Sequence, residues 1–239
     1  MIKEEILVWS DAEALSRAAA YFFVKSCKES IEQKGRFAVA LSGGNTPKRL
    51  YQLLATQEFS RNIAWKKVML FWGDERFVPH KSDESNFKMV KEALLDKVKI
   101  PKKNIFPVPV KGSPKDCALQ YEATLKTALG NRPCFDLTLL GMGDDGHTAS
   151  LFPGTDILNE KKRLIKEVWV EEKQTYRISV TYPLINHSNE VMFLVSGKAK
   201  APVIRNIISG KKQNGAYPVQ GVQLKKGSTI WLLDEAAIS

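Results

Sequence analysis

The sequence predicts an α/β fold, a mostly parallel sheet with helices on both of its faces. Three observations carry that prediction. Short apolar runs alternate with longer segments of helical character along the chain. Runs such as "FAVAL", "VMLFW" and "VMFLV" are apolar without interruption, which marks strands buried on both faces rather than half-exposed ones. Several of them end in glycines or charges, the punctuation found where a strand hands over to a turn or helix. At 239 residues the chain reads as a single domain spanning 1–239, long enough to bury one large core.

Each element follows from its own residues. Residues 6–9, "ILVW", read as a short strand, and 11–30 as a helix capped by Ser10 or Asp11, either of which has the short polar side chain an N-cap needs. Residues 36–44, "RFAVALSGG", read as a buried strand ending in glycines. A helix follows over 46–55, with Thr46 as cap and Pro47 at its first position. Residues 67–76, "KVMLFWGDER", are a strand ending in charge, 85–98 are helical, and 100–110 are loop and short strand. Residues 113–129 form a helix capped by Ser113, with Pro114 at the first position. Three more strands follow, 135–143 ("FDLTLLGMG"), 177–186 ("RISVTYPLIN") and 190–197 ("EVMFLVSG"). A helix over 200–209 and the segment 228–237, "STIWLLDEAA", complete the pattern.

Composition narrows the function. Hydrophobic residues make up 44% and charged residues 26%, ordinary for a globular protein, and no run approaches the roughly 18 apolar residues of a membrane span. No membrane partner is expected. The opening "MIKEEILVWS" has two acids and no apolar region of signal-peptide length. Cys27, Cys117 and Cys134 are odd in number and far apart. They fit neither a disulfide framework nor a zinc pattern, and point to packing roles in a reducing cytoplasm. The net charge of +10 has two readings. Nucleic-acid binding would cluster the basic residues with exposed aromatics; here they are scattered, in short groups such as Lys161-Lys162-Arg163 and Lys211-Lys212. No nucleic-acid partner is expected, and steering of a small acidic metabolite is preferred.

Three apolar strands end in clusters: "LSGGNTP", "FWGDERFVP" and "LLGMGDDGHTASLFP". Ligands of an open α/β sheet bind outside the carboxyl ends of its strands, so the three clusters should meet in one crevice. In the first, Gly43 and Gly44 let backbone amides approach a ligand, and the helix start after Thr46 offers unpaired N–H groups to phosphate or carboxylate. The alternative is a plain glycine turn; the G-K-[ST] ending of a Walker A loop is absent. In the second, Asp74, Glu75 and Arg76 either end the strand in water or face the crevice, where Arg76 offers a planar fork for an oxyanion. In the third, His147 stands among Gly141, Gly143 and Gly146, after two acids. An imidazole at a strand end is a natural general base. His80 and His187 read as structural. No HxxxH or HxH spacing supports a metal. Late in the chain, "EVMFLVSGKAKAPVIRNII" repeats the strand–glycine–helix logic and brings Lys198 and Lys200 near a strand end, where each is either a solvated charge or a crevice cation.

Taken together, these segments resemble the 6-phosphogluconolactonase family, which also contains glucosamine-6-phosphate deaminases. The resemblance runs over most of the chain, from "LSGGNTP" through "GDERFVP", "DESNFKM", "FDLTLLGMGDDGHTASLFPG" and "RISVTYPLIN" to "LVSGKAKA". It implies a Rossmann-like sheet and hydrolysis of 6-phospho-D-glucono-1,5-lactone to 6-phosphogluconate in the oxidative pentose phosphate pathway. No cofactor and no metal are implied, and a monomer is the expected state. By motif, His147 corresponds to the family's proposed base, and the loop Ser42, Gly43, Gly44, Asn45 and Thr46 to the phosphate cradle. Asn45 stands where many relatives carry Ser. The G-x-x-K pattern selects Lys200 rather than Lys198 for the phosphate. Arg76 and Arg177 correspond to substrate-binding arginines, with Asp74 beside them at the substrate. Asp145 either orients the imidazole or holds the water, or only caps the turn.

The rival readings are a deaminase and a non-catalytic sugar-phosphate sensor. Deaminases resemble "DGHIAFNEP", whose Glu takes part in ring opening; the matching position here is Phe152, which cannot move a proton. A sensor would have no need of His147. The nucleophile elbow G-x-S-x-G is also missing, so direct attack by water is favoured over an acyl-enzyme.

Overall fold

A computed structural model describes residues 3–209 and 217–239; the basic pair Lys211-Lys212 lies outside the described residues. In chain order the elements are β1 (Lys3–Trp9), α1 (Ala12–Lys34), β2 (Phe37–Leu41), α2 (Asn45–Leu54), α3 (Gln57–Ser60), β3 (Val68–Trp72), β4 (Asp74–Arg76) and α4 (Asn86–Val90). They continue with β5 (Ile105–Phe106), α5 (Pro114–Leu129), β6 (Leu137–Leu140), β7 (Ile165–Val170), β8 (Thr175–Val180), α6 (Tyr182–Ile185), β9 (Glu190–Val195), α7 (Ala201–Ile208) and β10 (Ser228–Asp234).

The main sheet has seven strands in the order β1-β10-β9-β6-β2-β3-β5, and every pairing in it is parallel. Every residue of β2 and β6 is buried, as an uninterrupted apolar strand requires. Helix α1 packs on β1, β2, β9 and β10 of this sheet, while α5 packs on β7 and β8, which lie outside it. Helix α1 starts where Asp11, not Ser10, accepts a bond from the Ala14 amide at 2.8 Å, and stops at Gly35 with φ 73°. From β2 the chain order runs outward to β3 and β5 on one side, and through β6 and β9 on the other. The reversal between β2 and β6 is the place where such sheets open a ligand crevice.

Four expectations need correction. Residues 67–76 are not one strand: β3 ends at Trp72 and β4 belongs to a separate three-stranded sheet, β4-β8-β7, which is antiparallel. Gly73 makes the transfer, its N–H bonding Leu41 of the main sheet and its carbonyl accepting from Val180 of the small one. Residues 177–186 likewise supply an antiparallel strand only as far as Val180, after which Pro183 lies in the first turn of α6. The helix over 85–98 is α-helical for five residues and then forms a π turn over Lys91–Leu95, closed by a bond from the Asp96 amide to the Lys91 carbonyl. Thr46 does not cap α2: the cap is Gly44, φ 102°, with no side-chain bond. Strand β7 escaped the sequence reading because Lys166 and Glu167 interrupt its apolar residues.

Candidate active site

Four strand ends converge on a crevice of about 370 Å³ beside the β2/β6 switch point. Every residue that the family resemblance assigned to the site lines it except Asp145: Ser42, Gly43, Gly44, Asn45 and Thr46 after β2, Asp74 and Arg76 on β4, His147 after β6, Arg177 on β8, and Lys200 after β9. Lys198 is exposed and outside the lining.

The loop after β2 is held from below. Tyr51 of α2 is fully buried, and its hydroxyl accepts from the Ser42 amide at 2.9 Å and donates to the Ser42 carbonyl at 2.8 Å. With the strand end fixed and no side chain capping α2, the first-turn amides remain available to an anion.

Alternation along β4 sorts its charges. Asp74 and Arg76 share the crevice face, opposite Ser179 and Arg177 of β8, while Glu75 and Ile178 share the other. Two arginines thus face each other across the ladder. Asp74 lies 3.9 Å from Arg177 and accepts a bond from Ser150 Oγ at 2.7 Å. Burial pulls the Arg177 guanidinium below its ordinary pKa, while Asp74 pulls it back up and Arg76 adds repulsion. The charged lining holds three cations, Arg76, Arg177 and Lys200, against the single carboxylate of Asp74. The surplus of two positive charges suits a phosphate dianion.

The lysine is placed by a buried acid. Asp234 accepts bonds from Ser196 Oγ and the Gly197 amide, fixing the turn with φ 99° at Gly197 that leads to Lys200.

In the turn after β6, Asp145 both caps the turn and holds the imidazole. Its Oδ1 accepts from the His147 amide at 3.0 Å and pairs with ring Nδ1 at 2.6 Å. Burial pushes the Asp145 carboxyl up, but the bonds and charge from His147 outweigh it and leave the carboxyl below its ordinary value. With Nδ1–H donating to this carboxylate, the lone pair belongs to Nε2. The pair folds back over Gly143, where a Cβ would sit 2.2 Å from Nδ1 and 2.4 Å from Asp145 Oδ1. Phe152 stacks on the imidazole, with centroids 4.1 Å apart and planes 25° apart, and the Arg177 guanidinium lies 6.0 Å from the same ring. His80 and His187 bond the carbonyls of Val108 and Pro133 away from the crevice. Among the described residues no group of three or more His, Cys, Asp or Glu is gathered as a metal site would need.

Sequence reasoning missed Asn86, Ala149 and Ser196, all lining the crevice. Asn86 carried a signal, as an amide at a helix start soon after a charged strand end. Ala149 carried none: its φ of 49° is invisible in an alanine.

The crevice at the switch point of this α/β protein thus gathers an uncapped helix start, a pair of arginines, a lysine and a carboxylate-paired imidazole. Residues 10–231 match the model of the family described as glucosamine-6-phosphate isomerases/6-phosphogluconolactonase. The chain is 41% identical to the 6-phosphogluconolactonase of Nostoc sp., across 99% of this chain and 98% of that protein. It is 44% identical to the 6-phosphogluconolactonase of Synechocystis sp., across 87% and 86% of the two. The solved 6-phosphogluconolactonase of Trypanosoma cruzi superposes with a TM-score of 0.90, 31% identity and coverage of 99% of this chain and 97% of that one. The chain belongs to the glucosamine-6-phosphate isomerase/6-phosphogluconolactonase family.

Proposed function

We propose that this protein hydrolyses 6-phospho-D-glucono-1,5-lactone to 6-phospho-D-gluconate, the lactone-opening step of the oxidative pentose phosphate pathway. The observation that carries the reading is the Asp145–His147 pair, 2.6 Å apart, with the imidazole on the wall of a crevice that also holds the anion cradle. The 6-phosphate lies against the Ser42–Thr46 loop and Lys200, and the lactone carbonyl is presented to His147. Nε2 takes a proton from water as the water oxygen bonds to C1. The carbonyl becomes an oxyanion, and Arg177 offers positive charge on that side, while Arg76 stays with the bound substrate's anionic group. When the tetrahedral carbon collapses, the C1–ring-oxygen bond breaks and imidazolium returns its proton to that oxygen. Asp145 stays ionised throughout and steadies the imidazolium. Such base assistance is worth about 10²–10⁴-fold.

Phe152 favours hydrolysis over deamination: it stacks on His147 and has no proton to exchange. We take the functional unit to be one domain over 1–239, acting as a monomer in the cytoplasm without cofactor or nucleic-acid partner. The scattered basic residues and the crevice between sheet and loops support that, and no helix among the described residues is long and apolar enough to cross a membrane. The test is lactone consumption measured against the spontaneous rate. A wild-type rate equal to background, with release of ammonia from glucosamine 6-phosphate, would transfer the assignment to the other branch.

A further inference from the structure

Asn86 borders the crevice yet is only 2% exposed, and its side-chain amide joins three parts of the site. Oδ1 accepts from Arg76 Nη1 at 2.6 Å, and Nδ2 donates to the Asp74 carbonyl at 2.9 Å. The third contact is steric. A Cβ on Gly43 would lie 2.1 Å from Asn86 Oδ1 and 2.8 Å from Nδ2. Gly43 is not among the positive-φ glycines, whereas Gly44 is, at 102°. Gly44 therefore answers to backbone conformation, and Gly43 answers to the presence of Asn86.

The amide is itself held. Glu75, 1% exposed, points away from the crevice into the start of α4. Its Oε1 accepts from the amides of Arg76 at 2.8 Å and Asn86 at 2.7 Å. Its Oε2 accepts from the Phe87 amide at 2.8 Å and Ser85 Oγ at 3.0 Å. Asn86 thus stands on a fixed base, between the loop that offers amides and the arginine that offers a fork. Among the described residues, the guanidinium's bonds fall on Nη1, to Asn86 and the Glu84 carbonyl, which leaves its Nη2 edge for a ligand.

Building on the phosphosugar reading above, we propose that Asn86 is a positioning residue: it sets the spacing between the Ser42–Thr46 loop and Arg76, and so the fit of the phosphorylated substrate. Its loss should act on KM while leaving kcat within a few fold, because the Asp145–His147 pair is untouched. Asn86→Ala, which frees Arg76 from a charge-assisted bond, should raise KM and the Kd for 6-phosphogluconate about tenfold or more. The isosteric Asn86→Asp should do the same, by placing a carboxylate beside Asp74 and the incoming anion. The decisive measurement is a double-mutant cycle. Gly43→Ala alone should weaken binding strongly, whereas in the Asn86→Ala background it should add less than about twofold, since its Cβ then has room. KM within twofold of wild type for both Asn86 variants, or equal cost of Gly43→Ala in the two backgrounds, would overturn the proposal. A wild-type protein that neither hydrolyses the lactone nor binds 6-phosphogluconate would instead overturn the functional reading and this inference together.

Discussion

The turns after β2 and β6 both follow a buried strand, both are rich in glycine and both open on the same crevice, yet they use glycine for opposite ends. After β2, Gly43 and Gly44 lead straight into α2, whose first amides stay unspoken for; the backbone is the functional group. After β6 no α-helix follows. The chain doubles back and bonds to itself, Gly143 N–H to the His147 carbonyl at 2.8 Å and Gly146 N–H to the Gly143 carbonyl at 3.2 Å. Those amides are consumed internally, and what the turn presents is a side chain. Gly146, φ 77°, also lies where any Cβ would strike Tyr217 at 2.5 Å. One turn presents backbone amides, the other holds a ring in one orientation. Binding and chemistry should therefore separate cleanly under mutation.

The largest effect should come from His147→Asn, which keeps a polar group on the second turn and removes the proton shuttle. We expect kcat to fall about 10²–10⁴-fold with little change in KM. Near-native kcat in this variant would make Asp145 the next candidate base. Gly143→Ala tests the same turn without touching the ring's chemistry. Its Cβ would displace Nδ1 and the Asp145 carboxylate, so kcat should drop by about 10²-fold, in contrast with Gly43→Ala, whose cost should appear in KM. Lys200→Ala probes the holding side: KM should rise about ten- to a hundredfold from loss of a charge-assisted bond. Lys198→Ala, outside the crevice, should change it little, and equal effects would cancel the distinction between the two lysines.

Away from both turns, Glu160 supplies a control on stability. Its Oε1 accepts from the amides of Lys161, Lys162 and Arg163. The bonds from Lys162 and Arg163 are the main cause of a carboxyl pKa lowered from 4.5 to about 2. A depressed acid stabilises the fold fully above its unfolded pKa and loses that contribution as pH falls through the folded one. Glu160→Gln should therefore flatten the acid limb of the stability curve between about pH 4.5 and 2, without altering kcat; an unchanged limb would contradict the assignment. Last, chelators should have no effect. Activity lost in EDTA and restored by a divalent ion would mean that the second turn works through a metal and not through its imidazole alone.

Much of the crevice was legible because strand ends in a parallel sheet announce themselves. An apolar run such as Phe37–Leu41 or Leu137–Leu140, followed at once by glycine and polar residues, fixes both the element and the side of the sheet on which its turn lies. Antiparallel β7 gave a weaker signal, because polar residues are tolerated on a sheet with an open face and Lys166–Glu167 interrupt its apolar residues. The split at Gly73 could not be read from "VMLFWGDER" since both halves are strand-like; only the competing bonds to Leu41 and Val180 divide them. Glu75 looked no different from its neighbours Asp74 and Arg76, yet it faces the opposite way and is almost wholly buried. Strand alternation would have separated them had the strand's start been known.

The parallel pairing of β1 with β10 has a consequence for how the molecule is made. Lys3 pairs with Ser228 and Trp9 with Asp234, and β1 has no other neighbour in the sheet. On the ribosome, the first of these strands is therefore synthesised long before its partner, and must wait with its ladder of amides and carbonyls unsatisfied until the chain has been made through Ser228–Asp234. Contacts of such separation close slowly, and a waiting strand is open to pairing with other chains. Glu4 and Glu5 sit within that strand, where like charges on neighbouring nascent chains would repel. Closing this edge of the sheet is in this sense a late step of assembly, and one exposed to error.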